Sequence, residues 1–243
     1  METGGSMKVV YNRGSFIKNI IEEFNYEKYL EIGLSHNPIA PYRMLNEIPL
    51  KHSVDTDETT GADFIMTSDD FFSKLESGEL QSKGLDNDYK WDIIFIDGNH
   101  YAIQVYSDLL NALKHISDNG VIVMHDVLPQ EYYRTLETPI PITYDGKPSH
   151  IPVMQCDAWK VVHFSLKNMP QINVCTVPEN EGGLGVITKN LDNNRTLLSQ
   201  NCNPFFQFKE MNLDMINMMN VVSSDKIIEW IENPFQNHCL DKK

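Results

Sequence analysis

The sequence lacks the features of a membrane protein and of a secreted, disulfide-bonded protein. No apolar run approaches the length of about 18 residues that predicts a transmembrane helix, and the amino terminus has no apolar segment of the signal-peptide kind. The four cysteines are widely spaced and form no Cys-x-x-Cys pair, which predicts neither a disulfide framework nor a zinc knuckle. We therefore expect a protein of a reducing compartment, the cytoplasm.

Basic residues are also scarce. The chain has 20 Lys and Arg against 34 Asp and Glu, which gives a formal net charge of −14 and a pI of about 4.9. Such a charge repels phosphate backbones and anionic lipid, so we expect no nucleic acid and no membrane surface among the partners. The hydrophobic fraction of 41% is that of an ordinary globular protein.

The order of apolar patterns predicts an α/β fold. Strand patterns alternate with amphipathic helix patterns along most of the chain, which is typical of a parallel sheet with helices on both faces. The predicted strands are Tyr29–Leu34, Lys51–Asp55, Ala62–Thr67, Asp92–Ile96, Val121–Met124, Ile172–Val177 and Leu184–Thr188. The predicted helices are Gly14–Phe24 with a Ser15 cap, Ala40–Glu47, Asp69–Leu75 with a Ser68 cap, Tyr101–Ile116 ended by Asn119–Gly120, and Asp157–Leu166.

The length of 243 residues is consistent with a single domain over residues 1–243. Residues 1–6 have the composition of a linker and are left out of the fold. Residues 128–156 are rich in proline and tyrosine without periodicity, and we predict that this segment is a lid over the substrate. Residues 190–243 carry two short helical patterns, around 205–219 and 225–231, and form a predicted helical extension.

Acidic residues and a glycine follow several of the predicted strands. In a sheet with right-handed crossovers the carboxyl ends of the parallel strands share one edge, so we expect Glu31-Ile32-Gly33, Asp55, Asp97 and Asp126 to lie together there. An acid that closes the second strand about 20 residues after the glycine is placed to grip a ribose diol. The Gly-x-Gly-x-x-Gly loop that a pyrophosphate needs is absent. The pattern therefore disfavours NAD and FAD and favours S-adenosylmethionine.

Several segments occur in an order that resembles a group of class I S-adenosylmethionine-dependent methyltransferases, similar to the enzymes that O-methylate sugars. The segments are YLEIG, SVDTD, ADFIMTSDDFF, WDIIFIDGNH, the DL of the next helix, NGVIVMHD, DAWK and GGLGVI, and the resemblance covers Phe16 to Trp230. The sequence departs from the group in the first loop, where His36-Asn37-Pro38 occupies the region of a second glycine.

The resemblance implies a Rossmann-like, doubly wound and mostly parallel seven-stranded sheet with an antiparallel last strand. It implies that Glu31, Ile32 and Gly33 line the methionine end of S-adenosylmethionine. The remaining cofactor contacts that it implies are Asp55 and Thr56 at the ribose, Thr67, Ser68 and Asp69 at the adenine, with the Ser68–Asp69 pair meeting the exocyclic amine, and Asp97. The implied acceptor is a sugar or glycan, and a homo-oligomer or a fusion to other glycan-modifying domains is left open.

Methyl transfer to a hydroxyl requires a group that removes the proton as the new bond forms, and the sequence leaves two arrangements open. In one, His100 is the general base. In the other, Asp97 and Asp126, with His125, bind a divalent cation that orients and acidifies a sugar diol. Related sugar methyltransferases carry two acids where this chain has His125-Asp126, so manganese fits better than magnesium. Aromatic residues that offer a surface for a sugar ring are Tyr132, Tyr133, Tyr144 and Trp159.

Three other functions remain open at this point. The spacing of Asp55-Thr56-Asp57 is that of the Asp-x-Asp motif that holds a metal-bound nucleotide sugar, which would indicate a glycosyltransferase. A binding or assembly module that keeps the fold without turnover is the second. The third is a methyltransferase that acts on a small molecule other than a sugar.

Overall fold

The computed structural model describes residues 12–36, 40–128, 143–144, 147–148, 157–178, 182–191 and 218–234. Its centre is a seven-stranded sheet. The strands of this sheet are β1 Lys28–Ile32, β2 Leu50–Asp55, β3 Phe64–Ile65, β4 Trp91–Ile96, β5 Ile116–His125, β8 Ile172–Val177 and β9 Leu184–Lys189. Their order is β3-β2-β1-β4-β5-β9-β8, and β9 runs antiparallel to the other six. The predicted α/β fold, with its antiparallel last strand, is confirmed.

Helices cover both faces of the sheet, as the alternating pattern predicts. The helices are α1 Arg13–Phe24, α2 Pro41–Met44, α3 Ser68–Ser77, α4 Ala102–His115, α5 Trp159–Asn168 and α6 Ile227–Glu232. Alternate residues of a strand point to opposite faces. Accordingly, Leu30 and Ile32 pack with α3, α4 and α5 on one face, whereas Tyr29 packs with α1 and α6 on the other. Ile93 and Phe95 of β4 pack on the same face as Tyr29.

The junction between α4 and β5 differs from the prediction. The helix ends at His115 and β5 begins directly at Ile116, so the prediction that Asn119–Gly120 ends the helix is wrong. The pairing register with β4 shifts between Trp91 and Ile93, and a Cβ on Gly120 would lie 2.8 Å from the carbonyl oxygen of Asp92. Gly120 is therefore needed for a close approach of two strands, and not for a left-handed cap.

Two helix caps lie just before the predicted ones. The side chain of Asn12 accepts from the backbone N–H of Ser15 at the start of α1, and that of Thr67 accepts from the N–H of Asp70 at the start of α3. The predicted caps Ser15 and Ser68 are thus the third and first residues of their helices. The predicted helix 40–47 is a single turn, and the predicted strand 62–67 keeps two paired residues.

Most of the predicted lid and much of the predicted helical extension lie outside the described residues. Within 128–156 the structure describes Leu128 and a short antiparallel pairing of β6 Thr143–Tyr144 with β7 Lys147–Pro148. Of the two helical patterns in the extension, the second corresponds to α6. In the part of the chain that the structure describes, no helix has the length and apolar character needed to cross a bilayer.

Candidate active site

A cavity of about 670 Å³ opens at the carboxyl ends of the parallel strands, which is within the size range of small-molecule sites. Every residue predicted to be catalytic, cofactor-binding or metal-binding lines it except Glu31, so the other strand-end acids converge as expected. The lining residues are Arg13, Ile32, Gly33, Leu34, Ser35, Val54, Asp55, Thr56, Met66, Thr67, Ser68, Asp69, Asp97, Gly98, Asn99, His100, Gln104, Asp108, His125 and Asp126.

The loop after β1 touches the loop after β4 at Gly33. This glycine has a φ of +87°, and a Cβ on it would lie 2.3 Å from the carbonyl oxygen of Asp97 and 2.4 Å from the Cα of Gly98. Its N–H donates to the carbonyl of Val54 at 2.9 Å. Only glycine fits this position, and the bare backbone here allows a ligand to approach closely.

Asp55 holds the edge of the cavity at the end of β2. Its two carboxylate oxygens accept from the N–H groups of Leu34 and Asp57, each at 2.7 Å. A carboxylate has about four acceptor positions, so capacity remains for two hydroxyls of a ribose. Asp57 instead accepts from the N–H and the hydroxyl of Thr59 and caps a short 3-10 helix. Asp55 lines the cavity and Asp57 does not, so the two acids do not form the shared site of a metal-binding Asp-x-Asp pair.

Four side chains converge beyond Gly33, at the ends of β4 and β5. Asp97 Oδ1 lies 2.9 Å from His125 Nδ1 and 3.3 Å from His100 Nε2, and Asp126 Oδ2 lies 3.1 Å from His100 Nδ1. One ligand atom from each of these four residues lies within 4.8 Å of the others. The two arrangements left open by the sequence, a His100 base and an Asp97–His125–Asp126 metal site, therefore occupy the same place.

The charges in this cluster stabilise one another. Burial alone would raise the pKa of Asp97, but the positive charge of His125 and the hydrogen bonds from His100 and His125 hold that pKa below its usual value. Burial would lower the pKa of His125, but Asp97 and Asp126 raise it to about 10. Asp126 has a φ of +58°, a left-handed conformation that aspartate tolerates better than most residues and that is enriched at functional sites.

Arg13 is a member of this site that the sequence reasoning missed. It lies in the first turn of α1, with Nε 3.6 Å from Asp97 Oδ2 and Nη1 3.3 Å from His125 Nε2. Among the described residues that line the cavity, it is the one lysine or arginine. No sequence pattern marks it, because it reaches the site from the helix before the sheet and not from a strand end.

Glu31 is placed differently from the expectation. Its side chain is buried in β1, accepts from the Tyr29 hydroxyl and from the Tyr42 N–H at 2.8 Å, and does not line the cavity. Burial raises the pKa of its carboxyl to about 8. The expected contact with the methionine end of the cofactor thus has no basis in the lining of the cavity.

The residues predicted at the adenine line the cavity, whereas the aromatic residue that the structure describes does not. Thr67, Ser68 and Asp69 lie at the start of α3 and line the cavity, as expected. The prediction that Trp159 offers a surface for a sugar ring is wrong, because its side chain is only 2% exposed and packs in the core. The side chains of Tyr132, Tyr133 and Tyr144 lie outside the described residues.

The cluster of Asp97, His100, His125 and Asp126 fits a divalent metal ion. With His100 left as the base, the cluster supplies two carboxylates and the imidazole of His125, and transition ions such as manganese accept both nitrogen and oxygen ligands. Ligands at about 2.0–2.2 Å from an ion lie at most about 4.4 Å apart, so the observed spread of 4.8 Å needs only small side-chain movements. This donor set favours manganese over magnesium, which prefers oxygen ligands alone.

Comparison with known proteins gives one family match and several similar structures. Residues 52–127 match the model of a family described as a methyltransferase domain. Similar solved structures include the SAH-bound methyltransferase PaMTH1 of Podospora anserina (20% identity, 73% of this chain and 78% of that chain, TM-score 0.47). Another is an O-methyltransferase from Bacillus cereus in complex with SAH (16%, 76% and 84%, TM-score 0.43).

A third is MycE of the mycinamycin biosynthetic pathway, in complex with Mg, SAH and mycinamycin VI (14% identity, 72% of this chain and 48% of that chain, TM-score 0.41). No curated protein matches the chain. The matched residues 52–127 run from within β2 to just past the end of β5, and they include Asp55, Asp97, His100 and Asp126. Over residues 52–127, the chain is therefore similar to a methyltransferase domain.

Proposed function

We propose that the chain is an O-methyltransferase that transfers the methyl group of S-adenosylmethionine to a hydroxyl of a sugar, in a glycan or a glycosylated metabolite. The observation that carries the proposal is the convergence of Asp97, His100, His125 and Asp126 in the same cavity as Gly33 and Asp55. Such a cluster suits a hydroxyl acceptor, because an alcohol is a poor nucleophile until its proton is removed or shared.

In this proposal Asp55 accepts hydrogen bonds from the ribose hydroxyls of the cofactor, and the backbone at Ile32 and Gly33 lies along the methionine end of the cofactor. The acceptor oxygen attacks the methyl carbon in line with the departing sulfur. The C–O bond forms, the C–S bond breaks with its electron pair going to sulfur, and S-adenosylhomocysteine is released. Holding the oxygen and the methyl group at near-attack distance supplies a large part of the rate enhancement.

His100 receives the hydroxyl proton. Its Nε2 lies 3.3 Å from Asp97 and its Nδ1 3.1 Å from Asp126. In this step one ring nitrogen exchanges its carboxylate for the acceptor hydroxyl and takes the proton, and the carboxylate that stays at the other nitrogen stabilises the imidazolium that forms. Asp97, His125 and Asp126 are the residues that would hold a divalent ion. When bound, such an ion orients and acidifies adjacent hydroxyls of the acceptor.

The sugar as acceptor class is supported by the resemblance of the strand-end motifs to sugar O-methyltransferases and by the suitability of the cluster for a vicinal diol. A methyltransferase for a small molecule other than a sugar would use the same residues. Nucleic acid and membrane surfaces are left out of the proposal because the net charge of −14 repels both. A cytoplasmic location remains part of it.

Titration calorimetry with S-adenosylhomocysteine tests the cofactor assignment. We expect the wild-type protein to bind this ligand, and Asp55→Asn to weaken binding at least about tenfold, because it loses charge-assisted hydrogen bonds to the ribose. Asp57→Asn is the matched control, since Asp57 lies two residues away, caps a turn and does not line the cavity. Equal affinities of the two variants would contradict the assignment of Asp55.

An acceptor panel tests the reaction. Glycans and glycosylated metabolites are compared with their monodeoxy derivatives and with non-sugar alcohols and phenols, and we expect methylation of a sugar that carries adjacent hydroxyls. His100→Gln should keep S-adenosylhomocysteine affinity and lose turnover by about 10²–10⁴-fold, the usual contribution of a general base. Methylation of phenols alone would exclude the sugar. Cofactor binding without turnover of any acceptor would favour a non-catalytic module.

A further inference from the structure

The first turn of α3 packs against α4 at one side of the cavity, and hydrogen-bond acceptors outnumber donors there. The side-chain amide nitrogen of Gln104 contacts Asp108 Oδ1 at 3.2 Å and both Ser68 Oγ and Asp69 Oδ1 at 3.3 Å. An amide nitrogen carries two hydrogens, so it cannot serve three acceptors at once. Contacts of 3.2–3.3 Å are also at the long end of hydrogen-bond lengths, which indicates a side chain that is weakly held.

Asp108 is the least satisfied member of this group. Its side chain is only 1% exposed and lines the cavity, yet its second carboxylate oxygen, Oδ2, is buried and has no hydrogen-bond partner among the described residues. Burial raises the pKa of this carboxyl, and the hydrogen bonds from the Ser68 hydroxyl and the Gln104 amide offset that rise only in part. A buried polar atom without a partner is rare in folded proteins and costs free energy, so its presence in a cavity wall indicates a ligand that supplies the missing donor.

We propose that Asp108 is the residue that makes this site select a purine with an amino group at position 6, and so an adenosyl over an inosyl ligand. Ser68 and Asp69, which face the same amide of Gln104, complete the acceptor group. The exocyclic amine brings two N–H donors to a group of acceptors that has too few donors of its own. The weakly held Gln104 side chain turns aside and exposes Asp108 Oδ2 to the amine. This inference rests on the proposed binding of S-adenosylmethionine in this cavity.

The chemistry predicts a large discrimination. Hypoxanthine presents an oxygen at position 6 in place of the amine and carries its neighbouring donor on N1, so an inosyl ligand would point an acceptor at the carboxylate oxygen that the amine contacts. Sites built around a specific hydrogen bond reject a ligand that cannot make it by large factors, because their buried polar groups are left unpaired. We therefore expect the wild-type protein to bind S-adenosylhomocysteine at least about 100-fold more tightly than S-inosylhomocysteine.

Calorimetric titration of both ligands into four proteins tests the inference. The proteins are the wild type, Asp108→Asn, Asp69→Asn and Asp70→Asn; Asp70 is exposed on the same turn and does not line the cavity. In Asp108→Asn, the side chain keeps one acceptor and gains an NH₂ group that can donate to hypoxanthine O6, whereas the exocyclic amine of adenine loses a carboxylate acceptor. We expect this variant to reduce the adenosyl-to-inosyl preference at least about tenfold, and more than Asp69→Asn does. Asp70→Asn should leave the preference unchanged.

The ratio of the two affinities separates recognition from support of the fold. A parallel loss of both ligands in Asp108→Asn would show a purely structural role and overturn the inference, as would a retained preference or a larger effect of Asp69→Asn. If Asp108→Asn does not fold, the wild type still decides: equal binding of the two ligands overturns the inference. Failure of the wild type to bind either ligand would instead overturn the proposed function.

Discussion

Gly33 is the residue on which the contact between two site-bearing loops depends. It joins β1 to the cavity, and its missing side chain lets the loop after β4, which carries Asp97 and His100, lie directly against it. Two separate properties require glycine here, the positive φ and the absence of room for a Cβ. A second glycine in the chain has the first property without the second, which allows the two to be separated.

Gly33→Ala should destabilise the protein more than Gly84→Ala. Gly84 has a φ of +82° with no atom within 4 Å of the point that a Cβ would occupy, so alanine there costs only the left-handed conformation, about 1–2 kcal/mol. At Gly33 the backbone of Asp97 and Gly98 must also move, which adds about 1–3 kcal/mol. Urea unfolding measures the difference, and calorimetry should show loss of S-adenosylhomocysteine binding in Gly33→Ala alone. Equal effects of the two variants would show that the close approach is unimportant.

Glu31 carries a pH dependence of stability that follows from its burial. The unfolded carboxyl releases its proton near its ordinary pKa of 4.5, whereas the folded one keeps it up to about pH 8. Tyr29, Tyr42, Asp97 and Arg13 also influence this carboxyl, but burial is the largest cause. Because the unfolded chain binds fewer protons between these two values, the free energy of unfolding falls as the pH rises from 4.5 to 8.

Glu31→Gln should remove this fall. Its amide oxygen still accepts from the Tyr29 hydroxyl and the Tyr42 N–H, and it has no proton to lose. We expect the stability of the variant relative to wild type to rise by on the order of 4 kcal/mol between pH 5 and pH 8. Urea unfolding of both proteins at the two pH values measures that difference, in which the contributions of groups that do not interact with Glu31 cancel. A difference that does not change with pH would show that Glu31 is ionised in the folded protein.

At the scale of elements, α5 fixes the start of α4 and with it the loop that carries His100. Tyr101 is the N-cap residue of α4, but its side chain makes no capping hydrogen bond. Instead Asp157, just before α5, accepts from the backbone N–H of Ala102 at 2.7 Å with one oxygen and pairs with Lys160 at 2.9 Å with the other. An acceptor at a helix N-terminus is worth about 1 kcal/mol, and here it comes from a distant element.

Asp157→Ala should loosen the loop that carries His100, whereas Lys160→Met should not. The first variant removes the cap, at about 1–2 kcal/mol; the second removes only a partly exposed ion pair, worth about 0–1 kcal/mol. Amide hydrogen exchange over residues 99–105 and methyl-transfer rate are the measurements. We expect faster exchange and slower transfer in Asp157→Ala with unchanged S-adenosylhomocysteine affinity. Identical exchange in both variants would contradict the capping role.

Elements built on a strong apolar period were predictable, and their ends were less so. The prediction 172–177 matches β8, and β4 and β9 each differ from theirs by one residue at an end, because each strand is a run of buried residues bounded by polar ones. The start of β5 was not predictable, since Asn119–Gly120 has the local chemistry of a helix end and only its contact with Asp92 requires a strand. The start of β5 depends on this tertiary contact, which no local sequence pattern indicates.

The same division holds in the active site. Asp55, Asp97 and Asp126 could be predicted because each follows a strand, and parallel strands bring their carboxyl ends to one edge. Arg13, Gln104 and Asp108 come from helices, and which helical side chain reaches a cavity depends on the docking of the helix. Glu31 shows the opposite error: its position at a strand end suggested the cavity, but its side chain is buried in β1.

At the scale of the whole molecule, the negative charge of the chain continues into the cavity. Five of the described residues that line it are aspartates, against two positive side chains, Arg13 and the protonated His125. The aspartates are Asp55, Asp69, Asp97, Asp108 and Asp126. The cofactor enters with a positive sulfonium and leaves, after transfer, as the uncharged thioether of S-adenosylhomocysteine. A negative field therefore attracts S-adenosylmethionine more than S-adenosylhomocysteine, and it favours replacement of the bound product by new cofactor.

This field predicts how salt acts on the two forms of the cofactor. S-adenosylmethionine and S-adenosylhomocysteine share every group except the methyl and its charge, so the product is the matched control for the substrate. Salt screens the net charge of −14, with a Debye length that falls from about 30 Å at 0.01 M to about 3 Å at 1 M. We expect the preference for S-adenosylmethionine to fall at least about twofold over this range, measured as the ratio of the two dissociation constants. Parallel salt dependences would show that contacts, and not the field, distinguish the two ligands.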